Sequence, residues 1–158
     1  MTPELKSEEF KKYGCIPRCL MYLSAQAGKP LSEKEFCERF ETLFPSPVER
    51  YGYLETQSTI EILRLLGLAS RLRDSDDYAV IETAFVNERK MILIKSTVDL
   101  NHGQTNPIDH CSVLMAISAK GFSVWTPAQD GQNYQFYFMP EDWKGKGCTG
   151  FVLCQYGA

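Results

Sequence analysis

The sequence predicts an α+β domain, with helices filling the first half of the chain and strands the second, and little alternation between them. Three observations carry this. Apolar residues recur at helical spacing in the segments before residue 67, and these segments end in a glycine or a proline break. Two Ser-x-x-Glu patterns, Ser32/Glu35 and Ser58/Glu61, read as capping boxes at helix starts. From residue 91 onward the apolar runs are short and bounded by polar loops or a Lys-Gly turn.

Taken in order, residues 1–13 are a polar lead-in. A first helix is expected over 14–27, with Leu20, Leu23 and Ala27 at helical spacing. Pro17 fits because the first turn needs no donor there, and Gly28-Lys29-Pro30 ends the helix. Ser32 opens a second helix with Phe36, Phe40 and Leu43 as its buried face, and Pro45-Ser46-Pro47 breaks it. Residues 48–53 read as loop. Ser58 caps a third helix whose face is Ile62, Leu65 and Leu66, closed by Gly67. A short strand over 69–73 precedes a fourth helix over 76–87. Ser75 would cap that helix, and its first turn holds acids where the dipole favours them. Strands are expected over 91–97, 111–119, 122–126, 134–138 and 150–155. Residues 98–109 read as a polar loop, Lys120-Gly121 as a hairpin turn and 140–143 as a short helical turn. Neither repeats nor low-complexity tracts are seen, and 158 residues suit one domain spanning 1–158.

Bulk composition narrows the function. The chain is 44% apolar and 23% charged, ordinary for a globular protein, with net charge −3. It has no dense Lys/Arg stripe, so neither nucleic acid nor an acidic membrane is an expected partner. There is no run of 18 apolar residues to span a bilayer. The acidic start, Met1 to Glu9, lacks a signal-peptide core. A cytoplasmic location is expected, with the six cysteines as free thiols. Export by a route that needs no signal would leave no trace in such a sequence.

Chemistry points to Cys15. It follows Gly14 where the first helix begins, and free N–H groups with a partial positive charge favour thiolate there. Free cysteine is also commonly a small buried apolar residue. Far downstream, His110 opens an apolar run, so Cys15 and His110 form a candidate nucleophile–base pair. Asp109 would point to the opposite side of an extended chain and is a poor orienter for it. His102 reads as solvent-exposed. Cys19, one turn after Cys15, could share a metal with it, but neither a CxxC pair nor an HxxxH motif completes a tetrahedral site. No metal or cofactor is expected. Cys37, Cys111, Cys148 and Cys154 read as structural thiols.

The segments from Gly14 to Leu20, Asp109 to Leu114 and Gly121 to Ala128, in that order, resemble the bacteriocin-processing (double-glycine leader) peptidases, which are papain-like domains found on ABC exporters and as stand-alone proteins. Gly14-Cys15-Ile16-Pro17-Arg18-Cys19-Leu20 is similar to that family's Asp-Cys-Gly-Pro-Ala-Cys-Leu helix start. Asp109-His110-Cys111-Ser112-Val113-Leu114 resembles its histidine strand, and Gly121 to Ala128 the strand ending in Asp-Pro-Ala. The likeness runs over about residues 9–155. It implies a papain-like cysteine proteinase fold, with N-terminal helices packed on a C-terminal antiparallel sheet, in a bacterial, stand-alone domain. It also implies that Cys15 is the nucleophile, that His110 is base and then acid, and that the Cys15 N–H faces the oxyanion. Two positions depart from the pattern. Glu9 stands where the family has an oxyanion-donating glutamine, and an ionised carboxylate only accepts. A protonated Glu9, Lys11 or Lys12, or a shifted loop would have to serve instead. Thr126 stands where the family has the aspartate that orients histidine, and Asp130 is the substitute if the following turn folds back.

Three functions follow. The resemblance implies a cysteine peptidase acting on a peptide or protein substrate. A papain-like glutamine deamidase or effector would use the same pair on a side chain of a protein partner. A degenerate, non-catalytic peptide-binding domain is favoured by Glu9 and Thr126.

Overall fold

Gly14 leads directly into α1, Cys15–Gln26, with its carbonyl accepting from the Arg18 N–H at 2.9 Å. The computed structural model describes residues 14–43, 56–68, 70–75, 77–88, 90–99, 104–119, 121–127, 133–138 and 149–155. Helix α1 stops as its sequence predicts. Gly28 takes a left-handed φ of 80°. Its N–H bonds to the Ala25 carbonyl, and that of Lys29 to the Ser24 carbonyl, which is a Schellman ending.

Helix α2, Glu33–Phe40, begins with the expected capping box. Ser32 Oγ accepts from the Glu35 N–H at 3.1 Å, and Glu35 accepts from the Ser32 N–H. Phe36 and Phe40 are buried and meet edge-on, 4.9 Å between centroids. A 3-10 turn, Glu41–Leu43, follows. The Pro45-Ser46-Pro47 break lies outside the described residues.

Helix α3, Thr56–Leu65, starts two residues before the predicted cap, so Ser58 lies within it. Glu61 is engaged elsewhere: it accepts from Arg64 at 2.6 and 3.2 Å, a pairing the helical i,i+3 spacing favours. The buried stripe is also rotated. Ile62, Leu63 and Leu66 are buried, while Leu65 is 44% exposed. The reason is the helix end. Gly67, at φ 76°, closes a second Schellman motif in which the Leu68 N–H reaches the Leu63 carbonyl, and both leucines are buried. Two cations complete this terminus: Arg39 donates to the Leu65 carbonyl at 3.1 Å and Lys29 to that of Leu66 at 3.4 Å. Both come from the α1–α2 region, so the cap also fixes how the three helices meet.

Strand β1, Ser70–Ser75, extends two residues past its predicted end, and Ser75 pairs with Gly150 rather than capping a helix. Asp77 does that instead, its carboxylate accepting from the Ala79 N–H at 2.9 Å before α4, Tyr78–Glu88. Strands β2, Lys90–Asp99, and β3, Gln104–Ser118, absorb most of the predicted loop. Their ladder continues through Val98↔Thr105 and Asp99↔Gln104, because backbone pairing is indifferent to polar side chains. The register jumps between Ser96↔His110 and Val98↔Thr105, leaving Asn106 to Asp109 opposite one residue. Pro107, which has no N–H to give a ladder, sits in this bulge.

Strand β4, Gly121–Pro127, pairs with β3 in the expected hairpin, with Ser118 opposite Gly121, whose φ is 108°. Strands β5, Asn133–Phe138, and β6, Thr149–Gln155, complete a six-stranded antiparallel sheet in the order β1-β6-β2-β3-β4-β5. The fold class is therefore α+β, as predicted. Helices α1 to α3 bury one face through Cys111, Val113 and Trp125. On the other face Phe122 meets Tyr78 of α4, 4.5 Å between centroids. No helix among the described residues is long and apolar enough to cross a membrane. The predicted turn at 140–143 lies outside the described residues.

Two substitutions grade these contributions. Phe36→Ala removes a fully buried ring and should cost about 3–5 kcal/mol of unfolding free energy. Ser32→Ala removes only a cap and should cost about 1 kcal/mol. Urea midpoints of the two variants against the wild type measure both, and equal losses would contradict this ranking.

Candidate active site

Helix α1 presents Cys15 and Cys19 one turn apart, on the side that meets β3 and β4. The contact is specific. Cys19 Sγ lies 3.5 Å from the Cys111 carbonyl oxygen. Tyr22, one turn further, stacks on Trp125 with centroids 4.3 Å apart and planes 19° from parallel. Its hydroxyl reaches Met115 Sδ at 3.5 Å. This seam sets the start of α1 against the segment of β3 that begins at His110.

Cys15 keeps intermediate exposure, whereas Cys19 and Cys111 are buried. Its sulfur faces Cys111, whose backbone N–H donates to it, as do the N–H groups of Ile16 and Cys15 itself. The helix-start donors therefore act in the direction the sequence predicts, towards thiolate. Burial outweighs them. Desolvation first, and then the neighbouring Cys111 thiol, push the Cys15 thiol up to about 12. Cys111 is likewise held well above the ordinary range, by burial and by its hydrogen bond and proximity to Cys19. At rest, Cys15 and Cys111 are both held as protonated thiols, with Cys19 hydrogen-bonded to Cys111.

The other candidates fall as follows. His110 is the residue before Cys111 in β3, paired across to Ser96, and its side chain lies outside the described residues. Thr126 is fully buried in β4 and accepts from Ser112 Oγ at 2.9 Å. It alternates with Trp125, so it lies on the sheet face opposite the one α1 covers. Glu9, Lys11, Lys12, Asp130, His102 and Cys148 lie outside the described residues, and Cys154 belongs to β6. Cys37 packs in the helical core, as a structural thiol should. Among the described residues, no group of three or more His, Cys, Asp or Glu side chains is arranged to hold a metal ion.

Cys111 is the residue that sequence reasoning undervalued. Buried as expected of a structural thiol, it nevertheless touches both α1 cysteines. The signal was its place directly after His110: any strand that delivers position 110 to a helix start delivers position 111 with it.

No family model matches the chain, and no curated protein matches it.

The protonated resting thiols have a consequence for pH. Folded-state values above the free-thiol value of about 8.5 mean that their stabilisation is complete below that pH and is lost as pH rises through the folded values. Unfolding free energy should therefore fall from about pH 8.5 upward towards about pH 12, and fall less steeply in Cys15→Ala. Over the same range iodoacetamide should label native Cys15 about tenfold faster per pH unit, with no plateau near neutrality. A plateau below pH 8 would mean that Cys15 is a thiolate at rest.

Proposed function

We propose that this chain is a papain-like cysteine hydrolase of peptide bonds, with Cys15 as nucleophile and His110 as base. What supports it most is one juxtaposition: a partly exposed cysteine at a helix start, held against the strand that carries the histidine, from 95 positions away in the chain. In this reading the Cys15 thiol gives its proton to His110 as the sulfur attacks the peptide carbonyl. His110 then returns that proton to the leaving amine, and water releases the acyl group. Helix-start N–H groups would meet the developing oxyanion. The resemblance would give the task of orienting the histidine to Thr126, which hydrogen-bonds Ser112, or to Asp130.

A second reading is a peptide-binding domain that has lost catalysis. The observation favouring it is the protonated Cys15, since a sulfur held as thiol is a weak nucleophile.

One experiment separates the two. A quenched-fluorescent peptide library should be hydrolysed by the wild type. The rate should drop by about 10³ or more in both Cys15→Ala and His110→Ala, and change little in Cys37→Ala. Peptide binding without turnover, unchanged by Cys15→Ala, would establish the second reading instead.

A further inference from the structure

The three thiols at the α1–β3 seam form a cluster that acyl transfer does not need. Hydrolysis uses one sulfur, yet Cys111 and Cys19 crowd the same place from two elements. The Cys15 sulfur accepts from the Cys111 N–H, which puts it within one side chain's reach of the Cys111 sulfur. Cys19, from the same helix, contacts the Cys111 carbonyl and shares a hydrogen bond with the Cys111 thiol. Cys15 has intermediate exposure, whereas Cys19 and Cys111 are buried. Of the three residues, Cys15 is therefore the one nearest solvent, with the Cys111 thiol beside it.

We propose that Cys111 is the resolving thiol for Cys15, so that peroxide converts the pair to a Cys15–Cys111 disulfide that reversibly blocks the site. In the first step the Cys15 sulfur attacks one peroxide oxygen and the O–O bond breaks. The departing hydroxide takes the thiol proton and leaves as water, and Cys15 becomes a sulfenic acid. In the second step the Cys111 sulfur attacks the Cys15 sulfur. The S–S bond forms as the S–O bond breaks, and the hydroxide leaves with the Cys111 proton as a second water. The two sulfurs together lose two electrons, and peroxide gains them. A dithiol reductant reverses the lock. The disulfide also spares Cys15 from sulfinic acid, which such a reductant cannot restore.

The blocking consequence rests on the proposed hydrolase reading, but formation of the bond does not. The chain is convenient for mapping it, because trypsin places Cys15 in peptide 13–18, Cys19 in 19–34 and Cys111 in 96–120, each as the only cysteine of its peptide. Native wild-type protein would be treated with hydrogen peroxide, its remaining thiols alkylated, and the digest read by mass spectrometry. The expected product is 13–18 linked to 96–120, lost on reduction, with Cys15 labelling restored. In Cys111→Ser, Cys15 should instead accumulate as sulfinic acid. The proposal is overturned if wild-type Cys15 runs to sulfinic acid, or if the linked peptides are 19–34 and 96–120. A correctly mapped disulfide in a chain that hydrolyses no peptide would leave this inference standing and remove the hydrolase reading alone.

Discussion

The seam between α1 and the β3–β4 hairpin is the contact on which the rest of the structure depends. Cys19 against Cys111, Tyr22 stacked on Trp125, and the Tyr22 hydroxyl at Met115 join residues about ninety or more positions apart. The two helix positions are three apart, so together they fix both the rotation of α1 about its axis and its height along the sheet. Strand β3 is a sound base for this because it is paired on both sides, to β2 and to β4. Helices α2 and α3 then hold α1 from behind, through Phe36, Phe40, Ile62 and Leu63. The cations that cap α3, Arg39 and Lys29, tie that packing to one arrangement. The position of Cys15 follows from these constraints, and the Cys111 N–H meets its sulfur there.

That position sets two physical effects against each other. A helix start offers donors and partial positive charge, both of which lower a thiol's pKa. The same tight docking that aims the helix also removes water from the sulfur and places a second thiol beside it. In this molecule burial prevails. The familiar argument from helix position alone fails here because it counts the donors and omits the desolvation that comes with docking them against a sheet.

What was legible in the sequence divides along the same line. Local chemistry was readable: the Ser32–Glu35 box, the glycine endings at Gly28 and Gly67, and a hairpin between β3 and β4 near Gly121 all depend on residues within one turn of each other. Reading failed where a partner distant in the chain decides. Ser58 and Ser75 carry cap-like patterns, but one lies inside a longer helix and the other belongs to a ladder with Gly150. The polar residues after Val98 look like loop, yet pairing between β2 and β3 makes them strand. The site shows both cases. Cys15 at a helix start was legible, whereas Cys111 beneath it was not, because its role exists only once α1 lies on β3.

The Ser112–Thr126 pair links these electrostatics to the proposed chemistry. An aspartate at 126 would sit fully buried beside a neutral hydroxyl. Ionising it there would cost several kcal/mol unless an imidazolium stood next to it. A threonine avoids that cost and also gives up the charge that would hold an imidazolium. Under the hydrolase reading, the uncharged residue at 126 and the protonated Cys15 point the same way: the nucleophile rests as a thiol. Proton transfer is then deferred to the moment of attack, when the forming oxyanion is met by helix-start N–H groups and the charge separation is no longer unsupported. Such a site works as the serine hydrolases do, by general-base activation within the step, rather than from a thiolate formed in advance.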